Sequence, residues 1–158
     1  MKESIKRGVS FGLTSGIITT LGIMIGLNTG TGLRLVVIGG ILTVAIADAF
    51  SDALGIHIAE ESSHKTEHKE IWEATIATFL TKLIVALSFI LPVLFFELSM
   101  AIAINLAWGL LLLTIFNYAL ARQRKENPLI VIGEHLLIAI VVIAITFFTG
   151  KMIALYFI

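Results

Sequence analysis

Five stretches of about twenty mostly apolar residues, each closed by a short polar or turn-forming segment, occupy nearly all of this chain. A helix needs about twenty such residues to cross the hydrocarbon core of a bilayer, so the pattern predicts five membrane-spanning helices at about 8–28, 34–57, 72–96, 99–120 and 129–150. Little of the chain is left for a soluble module. The fold class expected is therefore all-α, a single five-span membrane domain over 1–158, with residues 58–71 as a helical connector. Composition agrees: 58% of the residues are hydrophobic and 14% charged, against about 45–50% and 25% in soluble domains. The first stretch follows Lys6 and Arg7 but is too long and too rich in Gly and Thr for a cleaved signal segment. It reads as a retained span.

Basic residues in short loops set orientation. Lys2, Lys6, Arg7, Lys65, Lys69, Arg122, Arg124 and Lys125 fall on one side, and only Arg34 and Lys151 on the other. This asymmetry predicts a cytoplasmic N-terminus, an outside C-terminus and residence in the cytoplasmic membrane of a prokaryote. The 11 basic and 11 acidic residues cancel, which removes the basic footprint of a nucleic-acid binder. With no cysteine, thiolate metal ligands and a cysteine nucleophile are excluded. Any metal must be held by oxygen and nitrogen.

Ionisable groups inside a span are costly and need a reason. Asp48 and Asp52 are four residues apart on the second span, which stacks them on one helix face about 6 Å apart. Such a pair can hold a divalent cation or share a proton; equally, each can pair with a neighbouring helix. Lys82 is the obvious partner, because counting about 1.5 Å per residue puts it and Asp48 at roughly 14–15 Å depth, and Asp52 and Glu134 at roughly 8 Å. Glu134, entering the fifth span beside His135, can snorkel to the interface or extend an ion path. Ser15 adds an oxygen on the first span, and Asn105 and Asn117 read as interhelical glue.

The connector holds a second pattern. His57, Glu61, His64 and His68 fall within a stripe about 60° wide if one helix continues through them, flanked by Glu60 and Glu67. Imidazole and carboxylate at this spacing suit Fe, Mn, Zn or Co, whereas the alternative is a solvated charged helix that Ser62 and Ser63 could break. Trp72 reads as an interfacial anchor, and Pro92 as a kink in the third span. Gly8, Gly12 and Gly16 recur every fourth residue on one face of the first span, and Gly22 with Gly26 repeat that spacing further along. That spacing lets backbones approach closely and is expected to pack this span against another helix, with its own copy in a homodimer as the expected partner.

With those residues in place, the sequence resembles the vacuolar iron transporter family. Residues 11–26, FGLTSGIITTLGIMIG, are similar to the family's F-G-x-x-D-G-x-x-T-T-x-G-x-x-x-G signature, and residues 47–55, ADAFSDALG, to its A-x-A-x-S-M-A-x-G. Ala77-Thr78-Phe79-Leu80 and Asn127-Pro128-Leu129 are similar to further segments. The resemblance implies a dimer of five-span protomers that moves divalent iron or manganese out of the cytoplasm in exchange for protons, along a path lined by the first two spans. It also implies a cytoplasmic metal-collecting extension, here much shortened. Two positions depart from the pattern: Ser15 stands where the family has aspartate, and Asp52 where it has methionine. Losing a thioether and gaining a carboxylate makes the site harder.

The expectation is thus a transporter of divalent transition metal, iron or manganese foremost and zinc or cobalt next, with no organic cofactor and no catalytic activity. The metal ion, the lipid bilayer and a second copy of the chain are its expected partners. Asp48, Asp52, Ser15 and Glu134 would serve in the membrane, and His57, Glu60, Glu61, His64, Glu67 and His68 in the connector. Two alternatives stand beside it. One is a membrane sensor or scaffold that binds metal without moving it. The other is a metal-dependent transferase of the prenyl-diphosphate type, which would need a second acidic cluster besides Asp48 and Asp52.

Overall fold

The computed structural model describes residues 2–63 and 66–157, which are helical with no strand among them. Five helical rods are long and apolar enough to cross a membrane: Glu3–Thr31, Arg34–Glu61, His68–Phe95, Leu98–Arg124 and Pro128–Phe157. The first is α1. The second comprises α2 (Arg34–Thr43), a π-helical turn (Val44–Asp48) and α3 (Ala49–Glu61). The third comprises α4 (His68–Ser88) and α5 (Ile90–Phe95); α6 (Leu98–Arg124) and α7 (Pro128–Phe157) complete the set.

The rod ends follow local chemistry. Gly32, at φ 63°, closes α1 in the left-handed region that costs glycine nothing, and its N–H donates to the Asn28 carbonyl at 2.9 Å. At the end of α6, Lys125 takes the left-handed conformation (φ 57°), and the Glu126 N–H reaches back to the Ala121 carbonyl at 3.0 Å. Pro128 opens α7 where no N–H is needed, and the Asn127 side chain accepts the Leu129 N–H at 3.0 Å. Pro92 interrupts the third rod as expected for proline, but one turn earlier in the chain: it cannot donate to the Ser88 carbonyl, and the rod breaks between Ser88 and Ile90.

Where one five-span domain was expected, contacts group the chain into two compact units, 1–20 with 41–90 and 21–40 with 91–158. In the first, the π turn and α3 pack on α4, burying Ala45, Ala49 and Ala53 on one side and Ile71, Ala74, Thr78, Lys82 and Ala86 on the other. In the second, α6 packs on α7 and buries Ala101, Asn105, Gly109, Leu113, Asn117 and Ala121, one residue in every four. Many of the inward positions are small residues, beside a few larger ones such as Ile17, Leu21, Ile41, Phe89 and Leu113, while most Leu, Ile and Phe side chains point outward. That arrangement suits a lipid solvent, in which close backbone approach, and not burial of bulky side chains, holds helices together.

The glycines of α1 make such approaches within this chain. A Cβ on Gly12 would lie 2.6 Å from the Thr78 carbonyl oxygen, and one on Gly8 2.8 Å from the Ala77 methyl, both on α4. Gly22 and Gly26 face Val142 and Thr146 of α7 instead. Within the chain, α4 and α7 are thus the helices that these glycines meet.

Candidate functional site

In the second rod the π turn widens the helix immediately before Asp48, and insertions of this kind are frequent at functional sites. Asp48 closes that turn and Asp52 lies in the first turn of α3. From α4, the Lys82 side chain, fully buried, extends between them. Its ammonium meets Asp48 Oδ2 at 2.6 Å and also pairs with Asp52 Oδ2. Its third partner is Ser15 Oγ of α1 at 2.9 Å, and Ser15 Oγ donates its own proton to Asp52 Oδ2 at 2.6 Å. The ammonium thus donates hydrogen bonds to Ser15 and Asp52 and is ion-paired with both carboxylates.

The close seam between α1 and α4 makes this geometry possible. A Cβ on Gly16 would lie 3.3 Å from Lys82 Cγ, so the glycine leaves the aliphatic stem its course beside α1, one residue from Ser15. The burial of the cluster is uneven. Lys82 is 0% exposed, whereas the side chains of Asp52 and Asp48 are 20% and 32% exposed. Two carboxylates against one ammonium leave a formal charge of −1, and both carboxylates keep some exposure while the ammonium has none.

Depth counting pairs Lys82 with Asp48 and leaves Asp52 about a turn away. Lys82 instead bridges both, because a flexible four-carbon stem spans the gap that a ladder of Cα heights shows. Ser15, expected only as an additional oxygen, is the hinge of the hydrogen bonds. Glu134 is exposed on α7, in the second unit. Neighbouring His135 directs Nδ1 to the Val131 carbonyl at 2.9 Å.

The connector residues are arranged differently from the expected stripe. Helix α3 stops at Glu61 and α4 starts at His68, with Glu67 extended before it, so no single helix carries His57, Glu61 and His68 on one face. Ser62 ends α3 by donating its hydroxyl to the Ala59 carbonyl at 2.8 Å, a side-chain bond that competes with helix continuation. His57 turns toward α4, where its Nδ1 lies 2.9 Å from Thr75 Oγ1 and its ring meets Trp72 edge-on. Thr75 gives its one proton to the Ile71 carbonyl at 2.7 Å, so we assign Nδ1 of His57 as the donor. Glu60 is held by Arg7 in a two-pronged pair, Nε to Oε1 at 2.6 Å and Nη2 to Oε2 at 3.0 Å. Glu61 and Glu67 are exposed, and the His68 ring lies 6.5 Å from that of Trp72. His64 lies outside the described residues. Among the described residues, no three His, Asp or Glu side chains converge closely enough to hold a metal ion.

Two further features flank these groups. A largely apolar cavity of about 370 Å³ opens between α3 and α4, lined by Phe50, Leu54, His57, Trp72, Thr75 and Phe79 among others. The chain's N-terminal end is pinned to α4 by Glu73, which accepts from Lys2 Nζ at 2.6 Å and from Ser4 Oγ at 2.8 Å. The hydrogen bond and negative charge of Glu73 raise the Lys2 amine above its ordinary range.

Comparison of the chain with protein-family models and with curated proteins gave no match.

Proposed function

We propose that this chain is a membrane transporter of divalent transition-metal ions, iron or manganese foremost, in which Asp48 and Asp52 receive the ion within the bilayer. The observation that carries the reading is the imbalance at Lys82: a purely structural tie would need one carboxylate, yet two are brought to one ammonium inside the spans. An excess anion at that depth is costly, and receiving a cation is the use that offsets the cost. The adjoining π turn and the partial exposure of both carboxylates support the same reading. So does the resemblance of residues 11–26 and 47–55 to the vacuolar iron transporter signatures. The basic residues of the loops orient the protein with its N-terminus in the cytoplasm, and by that resemblance export would be coupled to proton entry.

Proteoliposomes loaded with a metal-sensing dye test the proposal. Fe, Mn, Co and Zn ions should enter in an order that identifies the substrate, with and without a pH gradient. Asp52→Asn should abolish flux while leaving the helical content and melting behaviour of the protein in place. Retained flux would sink the assignment.

A second reading, a membrane scaffold or sensor that moves no ion, is favoured by one feature. The Lys82 ammonium is already held by Ser15, Asp48 and Asp52, as it would be in a permanent tie. The same liposomes separate the two, since a scaffold gives no flux for any metal in either direction.

A further inference from the structure

The Lys82 ammonium occupies the position between two carboxylates that a bound cation would occupy. It is coordinated like one, by Asp48 Oδ2, Asp52 Oδ2 and Ser15 Oγ. We infer that Lys82 is a tethered competitor: its ammonium is the resting occupant of the Asp48–Asp52 site, and an arriving divalent cation must displace it. The inference rests on the transporter reading for its purpose, though not for its test.

Three observations carry it. The first is access. Lys82 is 0% exposed while Asp48 and Asp52 keep 32% and 20%, so the carboxylates, and not the ammonium, are the groups an arriving ion meets. The second is freedom of the stem. Gly16 leaves the aliphatic stem its course beside α1, a Cβ there lying 3.3 Å from Lys82 Cγ, and a lysine stem has several rotatable bonds about which its head group can move. The third is charge. With the ammonium in place the two carboxylates keep one uncompensated negative charge; a divalent ion compensates both of them, and the displaced ammonium, still tethered to the chain, brings the whole group to +1.

That arithmetic also names the class of ion. A tethered group competes at an effective concentration in the millimolar range or above. A sodium or potassium ion would replace one positive charge with another and must overcome the tether, whereas a divalent ion brings twice the charge to both carboxylates. The competitor therefore acts as a filter against monovalent ions, and the filter is a residue of the chain itself.

The full-length protein in lipid nanodiscs, with MnCl2 as the probe, tests this. Acylation of Lys82 by a small amine reagent, located by mass spectrometry with Lys2 as the internal reference, should rise several-fold on adding MnCl2. NaCl at equal ionic strength should leave it unchanged. This measurement needs no variant, and a Lys82 labelling rate that MnCl2 leaves unchanged overturns the inference. Lys82→Gln should bind Mn ions at least about tenfold more tightly than the native chain and admit sodium as a competitor. Equal or weaker binding by folded Lys82→Gln also overturns it. The transporter reading fails separately. Mn-dependent labelling of Lys82 without flux in proteoliposomes removes transport and keeps the competitor, whereas Asp52-dependent flux with unchanged labelling does the reverse.

Discussion

The two halves of α1 use one spacing for different ends. In the first unit Gly8, Gly12 and Gly16 lie against Ala74, Thr78 and Lys82 of α4; in the second Gly22, Gly26 and Gly30 lie against Val142, Thr146 and Gly150 of α7. Both seams advance four residues at a time on each helix, so in each the two helices run parallel. Yet the first seam carries a buried ammonium with two carboxylates, and the second carries no ionisable side chain at these contacts. Small-residue spacing is thus a device for bringing backbones together, and the residue at the point of closest approach decides what the approach is used for. At Gly16 that residue is Lys82, and the adjacent Ser15 oxygen comes within 2.9 Å of its head group.

The largest effect expected from breaking this contrast is at Lys82. Lys82→Met leaves Asp48 and Asp52 without a counter-charge, and removing one member of a buried ion pair typically costs 3–5 kcal/mol. Because both carboxylates keep some exposure, the lower end, about 3 kcal/mol, is expected, read from denaturant unfolding in detergent micelles. Adding Asp52→Asn to that variant should recover part of the loss by removing one unpaired charge. If Lys82→Met unfolds within about 1 kcal/mol of the native chain, the ion cluster contributes no more than an exposed pair does, and the two seams are energetically alike.

Next in size is a comparison of glycines. A Cβ at Gly12 would meet the Thr78 carbonyl oxygen at 2.6 Å, a backbone atom that cannot turn aside, whereas at Gly26 the nearest atom, the Thr146 carbonyl oxygen, is at 3.4 Å, an ordinary contact. Gly12→Ala should therefore cost about 2–3 kcal/mol by overpacking. Gly26→Ala should fall within about 1 kcal/mol of native, since the helix propensity gained offsets a slight crowding. Equal costs in the same unfolding assay would mean that the first seam is no tighter than the second.

Much of this was legible in the sequence, and the reasons for the remainder are specific. Five spans follow from twenty-residue apolar runs, but the rods extend further: 8–28 becomes Glu3–Thr31 and 129–150 becomes Pro128–Phe157. At the start of the first rod the added residues, Glu3 to Arg7, are mostly polar ones that hydropathy does not register, whereas the added 152–157 are apolar and lie beyond Lys151, which closes the apolar run. The glycine spacing announces a close approach without naming the partner, so a second copy of the chain and α4 were equally compatible with it. Lys82 with Asp48 could be read from depth. Lys82 with Asp52 could not, because a uniform rise per residue ignores both the reach of lysine and the π turn at Val44–Asp48, which has no signature in the sequence. The connector stripe assumed a helix through Ser62 and Ser63. The signal against it was present in those two serines, whose hydroxyls compete for backbone carbonyls.

The smallest effect expected lies in the second unit, and it tests whether burial of a polar group there has the meaning it has at Lys82. Asn117 is fully buried on α6; its Nδ2 donates to the Leu113 carbonyl at 2.8 Å, while its Oδ1 meets no hydrogen-bond donor among the described residues. A buried acceptor left unsatisfied costs about 1–3 kcal/mol, and replacing it with an apolar side chain of similar shape removes that cost. The bulkier Leu side chain must still find room beside Leu113 and Ala121, which are both buried. These terms oppose one another, so Asn117→Leu should unfold within about 1 kcal/mol of the native chain, on the stabilising side if the helices adjust. A loss of about 2 kcal/mol or more would mean that Oδ1 has a donor in the membrane-embedded protein, as a buried polar group with a full set of partners does. Asn117 would then belong with Lys82 among the polar residues that the fold is built to hold, and the contrast between the two units would be one of charge alone.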